Sequence, residues 1–164
     1  MAEQQPAPAN EAPLQRTVQL QKIYCKDASL EVPQAPQIFT RQWKPQVDVQ
    51  VNTEIKQIQG EHYHVVLTIT ATAKLDEDVA FLVEVHQAGI FAIVGFDDAA
   101  ERQAVLGAYC PAQIFPFARE TVADLVERAG FPQLLLQPIN FDALYLEHQK
   151  QAQQQQAAAP ATTH

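Results

Sequence analysis

Serine occurs once in these 164 residues, at Ser29, and nothing around it resembles the G-x-S-x-G elbow of a serine hydrolase. Glycine is also sparse. No two of Gly60, Gly89, Gly95, Gly107 and Gly130 fall at the spacing of a phosphate-cradling loop, which argues against a nucleotide enzyme. Cys25 and Cys110 are too few for a disulfide framework and have no C-x-x-C neighbour, so ordinary thiols in a reducing cytosol are expected. No apolar run approaches the roughly 18 residues of a membrane span, and the first residues lack the basic-then-apolar pattern of a secretory signal. Bases are outnumbered, 11 against 19 acids for a net charge of −8, which is not the footprint of a nucleic-acid binder.

The charge that is present is unevenly spread. Residues 1–74 hold seven acids and seven bases, whereas residues 75–148 hold twelve acids and only Arg102, Arg119 and Arg128 as bases. Such an acidic half serves solubility or steers a basic partner, and the sequence leaves both readings open.

Residues 1–14 and 150–164 are Gln, Ala and Pro tracts without apolar periodicity, expected to be flexible tails around a single domain at 15–149. Within it, Val47, Val49, Val51, Thr53 and Ile55 alternate with Gln46, Asp48, Gln50, Asn52 and Glu54, the pattern of a half-buried strand with one wet face. Tyr63, Val65, Leu67, Ile69, Ala71 and Ala73 form a second such face against His64, Thr68, Thr70 and Thr72. The residues LDED (75–78) then turn the chain into VAFLVEV (79–85), and TVQLQKIYC (17–25) supplies a first strand. Four strands without intervening helices predict an antiparallel sheet.

Helix signals follow. Asp98 with Glu101 fits a capping box opening a helix that ends near Cys110-Pro111. A second begins near Ile114, with Pro116 confined to its first turn. It aligns Ala118, Val122, Leu125 and Ala129 and stops at Gly130 and Pro132. A third starts at Asn140, carries Phe141, Leu144, Tyr145 and His148, and gives way to glutamines. The order predicts an α+β fold with the helices on one face of a four-stranded antiparallel sheet. The connection from Cys25 to Pro45 is the odd segment. At about twenty residues, with Pro33, Pro36, Phe39 and Trp43, it exceeds ordinary loop lengths and points to a function.

Candidate chemistry is thin. His62 and His64 share a strand face, but Glu61 points the other way, so a polar strand face is expected and no metal site. Asp76, Glu77 and Asp78 fit a solvated turn and no calcium loop. Glu84 interrupts an apolar strand on the parity of Leu82 and His86, which sets an exposed acid beside an exposed leucine, as on a contact patch. Most of the aromatic side chains are expected in the core, the domain having few other large apolar groups, with some left for an interface or groove. These features alone also fit a small-molecule binder whose Trp43 loop closes a pocket, or an adaptor for one folded basic partner.

Four co-linear segments narrow the choice. KIYCKDASLEVPQAPQIF (22–39) with Trp43-Lys44-Pro45, AFLVEVHQAGIFAIVGF (80–96), LGAYCPAQIFPFARE (106–120) and FPQLLLQPINFDALY (131–145) together resemble the SecB family of bacterial cytosolic export chaperones, over residues 17–148. The resemblance implies the four-stranded sheet already expected, assembled into a homotetramer as a dimer of dimers. It implies an ATP-independent holdase that keeps preproteins unfolded and hands them to SecA, the translocon motor. No catalytic residue, cofactor, metal, nucleic acid or membrane insertion is implied. Asp27, Glu31, Leu82 and Glu84 match the family's SecA contact. The connection carrying Phe39 and Trp43 matches the border of the client groove, and Tyr145 matches the same aromatic channel. Three positions depart from the family pattern: Val83 where relatives often carry cysteine, Ala88 in place of a common glycine, and a Gln/Ala-rich tail where some relatives are acidic.

Overall fold

A computed structural model describes residues 15–158. The tail expected at 1–14 and the end of the other, 159–164, lie outside the described residues. Four strands come first: β1 (Thr17–Glu31), β2 (Gln46–Gln59), β3 (His62–Leu75) and β4 (Asp78–Val94). They form one sheet in the order β1-β4-β3-β2, with every neighbouring pair antiparallel. Then α1 (Ala99–Ala104) leads through a π-helical turn, Val105–Tyr109, into α2 (Cys110–Arg128), and α3 (Phe141–Ala158) closes the described chain. The fold is α+β, as expected.

The strands run longer than their alternation indicated. β1 continues past Cys25 to Glu31 because its register slips between Leu20 and Lys22 and again between Cys25 and Asp27, and each slip inverts the in-out pattern. The crossover to β2 therefore shrinks to residues 32–45 and contains a short 3-10 turn, Gln37–Thr40. β4 extends to Val94 because it is central. Flanked by β1 and β3, it buries Gln87, Ala88 and Phe91 on both of its faces, which erases the alternation beyond Val85.

One face of the sheet makes the core. Val65, Leu67, Ile69, Ala71 and Ala73 of β3 and Val83 and Val85 of β4 are fully enclosed, beneath Leu106, Ile114, Ala118, Val122 and Val126 of the helical layer. Each large side chain so buried contributes about 1.5–3 kcal/mol. Leu125 and Ala129, expected on that helical face, are only partly buried, and Val126 takes their place.

The helix boundaries need correction. Asp98 Oδ1 accepts the Ala100 N–H at 2.8 Å and caps α1, but Glu101 pairs with Arg16 at 3.0 Å and does not complete a capping box. The helix does not end at Cys110-Pro111. A π-helical turn ends one residue before Cys110-Pro111, whose proline has no N–H to give, and the helix continues with Pro116 inside it. Burial of Ile114, Phe115 and Ala118 on either side of Pro116 outweighs its helix-breaking tendency. α2 stops as expected: Gly130, at φ +88°, donates its N–H to Glu127 (3.0 Å) and Phe131 donates to Val126 (3.3 Å), a Schellman closure. Asn140 caps α3 through the Ala143 N–H at 3.0 Å. That helix runs through the glutamines to Ala158, since glutamine and alanine are good helix formers.

α3 is seated at Gly107. A Cβ there would lie 2.5 Å from the Tyr145 ring, so only glycine lets the helix lie across the π-helical turn. Gly107→Ala is expected to lower stability by about 1–3 kcal/mol, as overpacking does. In urea unfolding followed by Trp43 fluorescence, adding Tyr145→Ala should recover part of that loss. Strict additivity of the two losses would contradict the contact.

Candidate functional site

The face of the sheet opposite the helices carries the first group of candidate residues. Along β1 and β4, Asp27 lies opposite His86, Ser29 opposite Glu84, and Glu31 opposite Leu82. Along β3 and β4, Thr68, Thr70 and Thr72 lie opposite the same His86, Glu84 and Leu82. Directly paired residues share a face, so Asp27, Glu31, Leu82 and Glu84 converge on one outer surface. Leu82 and Glu84 are half-buried there and not fully exposed, because strands flank β4 on both sides.

Glu84 is held in place. His86 Nε2 lies 2.8 Å from its Oε1, the Thr70 hydroxyl donates to its Oε2 at 2.9 Å, and Thr68 Oγ1 meets His86 Nδ1 at 3.1 Å. The bond from His86, then that from Thr70, keeps the Glu84 carboxyl below the usual glutamate range, outweighing partial burial. Its charge and direction are thus fixed beside Leu82. Asp27, at a bulge, accepts the Ala28 N–H at 2.9 Å. The sequence reading placed His86 on the parity of Glu84 but missed the threonines as its supports. They read as any wet strand face.

The second group lies on the helix side. The Trp43 ring centroid is 5.1 Å from that of Phe131 and 6.4 Å from that of Phe81, and Phe39 sits 5.0 Å from Phe131. Phe39 is 49 % exposed. Gly130 leaves it room, since a Cβ there would already touch its ring at 3.4 Å. Phe81 and Phe131 had no signal beyond being aromatic. Arg41, between Phe39 and Trp43, reaches Asp76 at 2.6 Å and Asp78 at 2.8 Å. The turn expected to be merely solvated is therefore ion-paired, although both acids remain exposed. Tyr145 is placed elsewhere: its ring packs at Gly107 and its hydroxyl accepts from Gln149 at 2.6 Å.

The apolar side of β2 was expected to be covered. The structure leaves Val47, Val49 and Ile55 exposed, because β2 is the edge strand farthest from β4, where α2 packs. Val47, Val49 and Val51 line a shallow cavity of about 490 Å³ with Leu135, Pro138 and Ile139 from the α2–α3 connection. His64 is engaged by Tyr24, whose hydroxyl lies 2.8 Å from its Nε2 across β4. Among the described residues, no three His, Cys, Asp or Glu side chains are grouped to hold a metal. Cys25 is exposed, whereas burial pushes the Cys110 thiol up to about 12.

The model of the family described as preprotein translocase subunit SecB matches residues 11–153. The chain belongs to the SecB family. The protein-export protein SecB of Alkalilimnicola ehrlichii is 50% identical, with 98% of this chain and 88% of that one aligned. Those of Hydrogenovibrio crunogenus and Methylococcus capsulatus are 51% and 49% identical, over 82% and 92% of this chain and 90% and 95% of theirs. Among solved structures, the SecB-like chaperone of Mycobacterium tuberculosis, in complex with an antitoxin peptide, superposes with a TM-score of 0.63. It does so over 74% of this chain and 90% of its own, at 17% identity, a likeness of fold alone. This SecB-family chain is a non-enzymatic chaperone of protein export.

A depressed Glu84 stabilises the fold above the ordinary carboxylate pKa, and that contribution is lost as pH falls through the depressed value. Thr70→Val and His86→Ala are each expected to raise the Glu84 titration midpoint, read by NMR of its carboxyl carbon. A midpoint unmoved by both would dismiss the network.

Proposed function

We propose that this export chaperone divides its work between the two faces of its sheet: the helix side holds unfolded preproteins, and the outer side docks SecA. The division is supported above all by one observation. Asp27, Glu31, Leu82 and Glu84 share the face turned away from the Phe39–Trp43 cluster and the β2 cavity, so client and motor need not compete for the same atoms.

The helix side suits a holdase. Exposed rings and valines grip apolar side chains without reading sequence. An extended chain spans about 3.3 Å per residue, so a six-residue contact runs roughly 20 Å. Burial at about 25 cal/mol per Å² is largely offset by ordering a disordered client, which leaves each site weak. Tyr145 adjoins Leu144, which lines the β2 cavity, and extends the client surface from that side. The domain at 15–149 carries both faces.

Weak sites become effective in an assembly. We take the protein to work as a homotetramer, a dimer of dimers, in which later contacts become intramolecular and avidity rises by about 10²–10⁴. The exposed outer rings of Tyr109 and Phe117 and the unpaired sheet edges at β1 and β2 supply surfaces for it. Binding the unfolded state preferentially delays folding by mass action, with no nucleotide required. Membership of the SecB family places the protein in the cytoplasm, where preproteins are made.

The purified protein is expected to slow the refolding of a slow-folding preprotein without ATP; refolding at the control rate would end the holdase reading. Glu84→Lys should weaken SecA binding while client retention stays close to wild type, and equal loss of both would contradict the two-face division. Sedimentation velocity is expected to show a tetramer, and a lone protomer at micromolar concentration would remove the avidity argument.

A further inference from the structure

The crossover (32–45) carries the exposed Phe39 and half-buried Trp43 rings of the client surface, yet its own backbone bonds are local. Ala35 donates to Val32, Ile38 to Gln34, Phe39 to Pro36 and Arg41 to Ile38. Its hold on the rest of the molecule rests on side chains. Ile38 is 2 % exposed in the core, Trp43 stacks on Phe81 and packs at a tilt against Phe131, and Arg41 reaches the β3–β4 turn. The Arg41 guanidinium donates to Asp76 at 2.6 Å, to Asp78 at 2.8 Å and to the Leu75 carbonyl at 3.2 Å. The turn presents both carboxylates by holding Asp76 at φ +54°, a conformation aspartate tolerates better than most residues. Acceptors spread over one planar fork suit arginine, and the point charge of a lysine cannot match them. The guanidinium side chain is 33 % exposed, less open to solvent than either acid.

We propose that Arg41 is a positioning residue for client binding. It ties the middle of the crossover to the β3–β4 turn and thereby keeps Phe39 and Trp43 packed against Phe131 before a client arrives. This rests on the reading of those two rings as client contacts. Rings already in place bind an extended chain more tightly than rings that must be ordered on contact. Arg41 acts through them and touches no client itself.

Trp43 is the only tryptophan, so it reports the clamp with no client present. Arg41→Gln, Arg41→Lys and the double variant Asp76→Asn/Asp78→Asn are compared with the wild type in two ways. One is acrylamide quenching of Trp43. The other is the dissociation rate of dye-labelled, reduced and carboxymethylated α-lactalbumin, an unfolded probe. Arg41→Gln and the double variant should both raise quenching and speed release roughly fivefold, a modest effect in keeping with a partly exposed ion pair. Arg41→Lys should restore only part of each. The double variant alters exposed turn residues and keeps the arginine, so it carries the test even if an Arg41 variant folds poorly. Unchanged quenching overturns the proposal, as does raised quenching with unchanged release. Faster release in the Arg41 variants alone also overturns it, because that would mean the arginine attracts the client directly. A wild-type protein that does not retain the probe overturns the client reading together with this one, and is told apart because it fails before any substitution.

Discussion

The burial of one face of β3 and β4 beneath α2 is the constraint from which the functional surfaces follow. Strand side chains alternate with a period of two, so enclosing Val65, Leu67, Ile69, Ala71, Val83 and Val85 sends their neighbours the other way. Thr68, Thr70, Thr72, Leu82, Glu84 and His86 come to lie outward in matched rows because of that alternation. A one-residue slip of either strand would bury Glu84 and expose the core, so the docking face and the core are a single commitment of register. α2 does not cover β2. Val47 and Val49, on the core side by register, stay exposed, Val51 is only partly covered, and together they leave an apolar surface within one protomer.

The antiparallel strands and the outer Leu82–Glu84 pair were legible in the sequence because both depend on local alternation. Glu84 breaking an apolar run on the parity of Leu82 was enough to place the two side by side, and the register sets Asp27 and Glu31 next to them. What escaped was of two kinds. Alternation failed where the ladder is irregular or buried on both sides: the bulges that carry β1 on to Glu31, and the central stretch of β4 after Val85. Proline rules failed at Pro111 and Pro116, where a π-helical turn and tight packing keep one helix going where two were expected. The other kind was long-range. Phe131 under Phe39 and Trp43, and Arg41 on the turn at Asp76 and Asp78, join residues more than thirty positions apart, and no local pattern announces them.

The two surfaces differ in how they are held, which suits what each is proposed to do. On the outer face, Glu84 is fixed by His86 and Thr70, with Thr68 behind His86, all projecting from the two central strands, so little must be ordered when a partner arrives. The client side is built on a crossover anchored through Arg41 and on an edge strand, which adapts more readily. A motor contact needs a defined geometry. A holdase that accepts many sequences is served by anchored rings beside edge-strand valines that can shift against whatever lies on them.

The excess of acids in residues 75–148 suggested a steering face, but their placement changes that picture. Asp76 and Asp78 are paired with Arg41, Glu101 with Arg16 and Asp124 with Arg128, while Glu84 is hydrogen-bonded to His86 and Thr70. Two of the four outer-face candidates, Asp27 and Glu31, come instead from β1, in the part of the chain where acids and bases balance. The proposed docking surface is therefore made by pairing a strand of the neutral half with one of the acidic half. Its charge belongs to the sheet, and a count along the chain could not have located it.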